Sequence, residues 1–171
     1  MSTASSASAK NLKLKTKNCI EVSAALIFRD GKLLITRRHA NAHLGGLWEF
    51  PGGKREAGET FEACLIREIR EELGVEISVG ELFEEVSHAY PEKSVHLKFF
   101  ICKLLSGEPR PLDCAAGKWV TKAELADFQF PAADAQLLEK LKASLRLKIY
   151  SNTLLSGLDF ADSDFTIVKT G

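Results

Sequence analysis

The sequence predicts an α/β domain, on three observations. Apolar, β-rich runs recur along the chain, from CIEVSAALIF to KLLITRR to VHLKFFICKLL. Between them lies GETFEACLIREIREEL, whose apolar residues return at helical spacing. A second helical stretch, AADAQLLEKLKASL, follows the last strand candidate.

The chain of 171 residues has the size of one domain with a substantial core. Its 45% hydrophobic and 27% charged residues are those of a soluble globular protein. Lys plus Arg and Asp plus Glu each total 23, so the net charge is zero and no basic field marks a nucleic-acid polymer as partner. No stretch is long enough to span a membrane. Cys19, Cys64, Cys102 and Cys114 form no C-x-x-C pair and have no His at zinc-site spacing. They read as reduced, mostly buried thiols of a cytoplasmic protein. Residues 1–18, MSTASSASAKNLKLKTKN, lack both the apolar run of a signal peptide and the Arg of a transit peptide, and are expected to be a disordered leader.

Taken in order, CIEVSAALIF and KLLITRR flank Asp30-Gly31, a turn pair that predicts a β-hairpin. HANAHLGG is a loop, LWEF a short strand, and PGGK a sharp turn whose glycines permit positive φ. A helix is expected from Gly58 or Glu59 to Leu73, stopped by Gly74. VEISVGELFEEVSHAY supplies one or two strands, PEKS a turn, VHLKFFICKLL the longest strand and GEPRPLDCAAG a loop. KWV is a short strand and TKAELADF a brief helical turn. Pro131 starts the last helix, which runs to about Leu145 with Leu137, Leu138 and Leu141 on one face. The domain is therefore 19–145, and 146–171 is an extension with no convincing period and no assigned role.

The chemistry concentrates on the first helix. At about 100° per residue Glu68, Glu71 and Glu72 share a face, while Ile66, Ile69 and Leu73 form an apolar stripe turned away from it. Crowded carboxylates repel unless a cation sits among them, and hard cations such as Mg²⁺ take carboxylates together with substrate phosphates. Alone, the cluster reads more readily as a solvated face offset by Arg67 and Arg70.

The surrounding spacing decides between them. Gly53, Glu59, Arg67, Glu68, Ile69, Glu71, Glu72, Gly74 and Val75 satisfy G-x5-E-x7-R-E-U-x-E-E-x-G-U, with U a bulky aliphatic residue. The stretch resembles the Nudix box of the Nudix hydrolases, which cleave nucleoside diphosphates linked to another group. ITRR, LWEFPGGK, GEPRPLD and FPAAD further resemble the MutT branch, whose members hydrolyse nucleoside triphosphates, often oxidised, to monophosphate and pyrophosphate. The resemblance covers roughly Ile20 to Ala143 and implies the Nudix fold, an α/β/α sandwich with a mixed β-sheet.

It also implies roles. Mg²⁺, with Mn²⁺ as substitute, would be held by Glu68, Glu71, Glu72 and the carbonyl of Gly53, with Glu59 supporting the helix start or the metal and Arg67 bracing Glu59. The general base would be Glu68 or Asp113. Substrate contacts would come from Arg38, Phe50, Tyr90, Lys93 and Asp134. Asp134 stands where the MutT pattern has Asn, and an ionised Asp only accepts hydrogen bonds, which suits the donating edges of cytosine or guanine. The implied function is hydrolysis of oxidised nucleotides such as 8-oxo-dGTP, with CTP or dCTP as the alternative. A non-catalytic nucleotide-binding module ranks far behind, because every box carboxylate is intact. The implied partner is a small nucleotide.

Overall fold

The computed structural model describes residues 19–144; the leader and the extension lie outside the described residues. The strands are β1 (Cys19–Arg29), β2 (Lys32–Arg37), β3 (Trp48–Glu49), β4 (Gly52–Lys54), β5 (Glu76–Ala89), β6 (Ser94–Ser106) and β7 (Ala116–Thr121). Helix α1 (Phe61–Leu73) lies between β4 and β5, and α2 (Ala135–Ala143) follows 3-10 turns at Glu124–Asp127 and Ala132–Asp134. The sheet runs β3-β2-β1-β6-β5, with β4 paired to β1 and β7 to β2. β1 and β6 are parallel and the other pairs antiparallel, so the sheet is mixed.

β1 explains why the sheet carries a layer on each side. Its alternation sends Ala24 and Leu26 to a core shared with Leu137 and Leu141 of α2, and Ala25 and Ile27 to a core shared with Leu65, Ile69 and Leu73 of α1. A central strand buried on both faces reads as a continuous apolar run. The expected hairpin is present: Asp30 and Gly31 take φ 50° and 73°, and Phe28 pairs with Leu33.

Helix α1 begins at Phe61 rather than at Gly58 or Glu59, because Thr60 is the cap: its Oγ1 accepts from the Ala63 N–H at 3.1 Å. Gly74, at φ 66°, ends it and donates to the Arg70 carbonyl. Its fully buried stripe is Cys64, Leu65, Ile69 and Leu73, with Ile66 only partly buried at the margin. PGGK is not a free turn, since Gly52–Lys54 pair with Val22–Ala24 of β1. Gly52, at φ 146°, permits that approach, for a Cβ there would lie 2.1 Å from the Ser23 carbonyl oxygen.

The segment after Gly74 is a single 14-residue strand that absorbs its polar interruptions as register shifts near Val79–Glu84. The last helix starts at Ala135, since the Ala132–Asp134 turn intervenes after Pro131. Cys64, Cys102 and Cys114 are buried, Cys19 is exposed, and all four are free thiols.

Ile69 is fully buried between α1 and the sheet. Ile69→Ala is expected to lower stability by about 2–5 kcal/mol in urea unfolding, with an unchanged far-ultraviolet dichroism spectrum before the transition.

Candidate active site

Arg67 gathers the charged end of α1. Its Nε and Nη2 donate to the two oxygens of Glu59 at 2.7 and 3.0 Å, and its Nη1 reaches Glu68 at 2.8 Å and Glu71 at 3.3 Å. Nη2 also donates to the Lys54 carbonyl at 3.2 Å, which joins the helix to β4. Hydrogen bonding to Arg67, helped by the Glu56 N–H, brings the Glu59 carboxyl down to about 2, and Glu59 in turn pushes the Arg67 guanidinium up.

Glu68 folds against β4. A Cβ on Gly53 would lie 2.2 Å from the Glu68 Cδ, so the glycine makes the cradle in which this carboxylate rests. Glu72 accepts the Gly52 N–H at 3.2 Å. Burial raises its carboxyl to about 8, with the charge of Glu49 next in weight, the Gly52 N–H acting against the rise, and Glu68 and Asp113 adding to it. Glu71 is more open, at 58% side-chain exposure. The Glu72 carbonyl accepts from the N–H groups of Leu112 and Asp113 at 2.8 and 3.3 Å, fixing the loop after β6 to the end of α1. Asp113 itself is exposed, 3.7 Å from Nε2 of His39.

The donor set on this side is carboxylate and carbonyl oxygen, the chemistry that hard divalent cations take. Among the described residues no three His, Cys, Asp or Glu side chains converge as a ready metal cage. Arg67 holds Glu59, Glu68 and Glu71, while Glu72 sits among like charges with a single N–H partner. A half-buried carboxylate in that position, beside a cradled second one, fits a divalent cation.

Next to β4, on the α2 side of the sheet, is a cavity of about 140 Å³. Its floor includes Val22, Ala24, Leu97 and Phe99, and Arg38, Glu49, Tyr90, Lys93 and Asp134 stand on its wall with Gly52 and Gly53. All five expected substrate contacts and Gly53 therefore border one cavity; Asp113 does not. Phe50 lines it as well, but the ring is 3% exposed, stacked on Phe130 at 5.4 Å and edge-on to Phe99, so it is chiefly core. The Tyr90 hydroxyl accepts the Ala133 N–H at 3.4 Å. Asp134 is 4% exposed; burial raises it to about 7, Glu49 adds to that, and Arg38 opposes it.

Three polar cavity residues carry no role in the sequence reading, which places His43 near the pocket without assigning it one. His43 stands edge-on to Tyr90 with its Nε2 3.5 Å from Glu92, and Lys54 lies at the end of β4. Glu49 is ion-paired with Arg38 through Oε2. Its signal was legible in LWEF, where one acidic residue interrupts an apolar strand.

A mixed sheet between two helices, with a carboxylate-bearing helix and a glycine strand at the edge of a cavity, makes this an α/β/α sandwich with an acidic site beside a pocket. The chain belongs to the NUDIX domain family, whose description matches residues 23–140. It is 34% identical to an 8-oxo-dGTP diphosphatase of Escherichia coli (strain K12) over 72% of this chain and 96% of that one. It is 38% identical to a CTP pyrophosphohydrolase of the same organism over 72% and 92%. In structure it resembles the MutT protein of methicillin-resistant Staphylococcus aureus 252, with a TM-score of 0.62 and 35% identity over 74% of this chain and 98% of that one. It is a Nudix hydrolase, and enzymes of this family generally need a divalent metal.

The raised carboxyls of Glu72 and Asp134 bind their protons more tightly folded than unfolded, so their contribution is greatest at low pH and is lost as pH rises through about 7 to 8. In EDTA the melting temperature is expected to fall between about pH 5 and pH 8, by more than in Mg²⁺. Glu72→Gln should flatten this slope in EDTA and reduce the stabilisation by Mg²⁺, both read by thermal denaturation.

Proposed function

We propose that this chain hydrolyses nucleoside triphosphates, oxidised ones such as 8-oxo-dGTP foremost, to the monophosphate and pyrophosphate, in the cytoplasm and with Mg²⁺. The observation that carries the reading is the continuity of one wall: the Gly52–Gly53 strand that receives Glu68 and Glu72 also borders the cavity lined by Arg38, Lys93 and Asp134. A phosphate chain at β4 and a base in the cavity would belong to one ligand. The 8-oxo-dGTP diphosphatase and CTP pyrophosphohydrolase relatives support the reaction class.

Glu68, Glu71, Glu72 and the Gly53 carbonyl would hold the ion, with Glu59 in support. Such an ion neutralises phosphate charge and makes a water more acidic. Arg67 keeps Glu59 and Glu68 in place, and Arg38 and Lys93 bring positive charge to the cavity. Glu68 or Asp113 takes a proton from the water whose oxygen joins the β-phosphorus, while the bond from that phosphorus to the oxygen shared with the α-phosphate breaks. Tyr90 borders the base. Residues 19–145 form the catalytic domain.

A second reading, preference for CTP or dCTP, is favoured by Asp134, whose buried carboxyl replaces the amide of the MutT pattern. A panel of 8-oxo-dGTP, dGTP, CTP and dCTP decides between them: at least about tenfold higher kcat/KM on 8-oxo-dGTP than on dGTP supports the first, and equal turnover of these two with faster CTP or dCTP supports the second. Glu72→Gln is expected to cost at least about 100-fold in kcat on the best substrate. Gly53→Ala should also slow turnover, because its Cβ displaces the Glu68 carboxylate. Near wild-type rates in both variants would overturn the site.

A further inference from the structure

We propose that Ser23 is a positioning residue of the cation site: its buried hydroxyl is the donor that Glu68 takes up when that carboxylate turns from Arg67 to a divalent cation. This rests on the assignment of Glu68 to the cation and goes beyond it, since it names what holds the ligand in place.

The starting point is a hydrogen bond not made. Ser23 is 0% exposed, and its Oγ is sealed from solvent with no hydrogen-bond partner among the described residues. A hydroxyl shut away in this state costs stability, and alanine in its place would not. Such a group in a native core asks for an explanation.

Its position supplies one. Alternation along β1 sends Ser23 to the face of Ala25 and Ile27, toward α1, and away from the cavity floor at Val22 and Ala24. Across the ladder it stands directly opposite Gly53 of β4. Opposed Cβ positions in such a pair lie about 4.5–5.5 Å apart on one face. At Gly53 that position is taken by Glu68, whose Oε2 and Oε1 come within 2.3 and 2.6 Å of it. The glycine therefore leaves nothing of its own between the strand hydroxyl and the helix carboxylate.

The neighbouring polar groups already have partners. Lys98, opposite Ser23 on β6, sets its ammonium over the Phe61 ring at 4.6 Å and 3.8 Å from Glu85. The Cys64 thiol donates to the Gly53 carbonyl at 3.7 Å and accepts from Arg67 Nη2 at 3.8 Å. Glu68 gives Oε1 to Arg67 at 2.8 Å, while Oε2 is the oxygen closer to the Gly53 Cβ position.

Charge explains why a hydroxyl suits the task. A guanidinium that shares a carboxylate with a divalent cation is repelled by it, whereas a neutral O–H can hold the ligand without opposing the ion. Arg67 keeps its two-point grip on Glu59 in that exchange. Ser23 supplies the hydrogen bond that Glu68 gives up.

The test is Mn²⁺ binding to the full chain, followed by electron paramagnetic resonance of the free ion, with melting temperatures in EDTA alongside. Ser23→Ala is expected to weaken Mn²⁺ binding by about tenfold or more. Its melting temperature in EDTA should equal or exceed the wild-type value, because no unpaired hydroxyl is left buried. Ser23→Thr keeps the hydroxyl and should restore binding to within about threefold of wild type. In turnover of 8-oxo-dGTP, the Mg²⁺ concentration for half-maximal rate should rise by a similar factor in Ser23→Ala, with the nucleotide KM within about twofold of wild type. An alanine variant that binds Mn²⁺ like the wild type overturns the proposal. So does a threonine variant that melts like the wild type and binds no better than alanine. A lower melting temperature in EDTA with unchanged affinity marks a purely structural serine and overturns it too. Wild-type protein that binds Mn²⁺ but hydrolyses no nucleotide overturns the function proposed above, while loss of affinity in the alanine variant still supports the role of Ser23. Wild-type protein that binds no Mn²⁺ overturns both.

Discussion

Arg67 is the contact on which the active end of the molecule depends. Without it, Glu59, Glu68 and Glu71 would lose the guanidinium that all three share. An exposed helical ion pair contributes only about 0.3–0.5 kcal/mol, so the Glu71 contact matters little by itself. The two-point grip on Glu59 is different in kind, because it fixes an orientation as well as a distance. Together with the Lys54 carbonyl bond it ties helix, loop and β4 into one unit. Glu72 lies outside that grip and carries the strain of its burial. The site therefore has a preassembled part and a part that a cation would complete.

β1 distributes the two halves of the site. One face carries α1 and its carboxylates, and the other supplies the cavity floor at Val22 and Ala24. β4 lies against the same stretch of β1 and touches both. Only a glycine strand could do this, since a side chain at Gly52 would meet the Ser23 backbone and one at Gly53 would meet Glu68.

Local and long-range information explain what the sequence disclosed. The hairpin at Asp30-Gly31, the Gly74 stop and the Glu face of α1 each follow from a few adjacent residues, and each is present. The start of α1 moved to Phe61 because Thr60 outcompetes Gly58 as a cap, a choice visible only once the Ala63 N–H is placed. PGGK looked like a turn because its glycines are permissive; its pairing with β1 depends on contact across some thirty positions. Arg38, Tyr90, Lys93 and Asp134 could be nominated by resemblance, but their meeting at one cavity is a property of the folded sheet. Phe50 shows the converse, since an aromatic nominated for stacking is mostly spent on Phe99 and Phe130.

Glu49 marks where local reading ends. A lone acid in LWEF can be noticed, but nothing local says that it faces Arg38 and lines the same wall as Asp134. Its charge is the leading like-charge influence on Glu72, beside β4, and on Asp134, on the cavity wall. A ligand group that satisfied Glu49 would thus be felt at both. Glu49 thus couples by charge to a carboxyl beside β4 and to another on the cavity wall, and the guanidinium of Arg38 opposes the cost of burying it there.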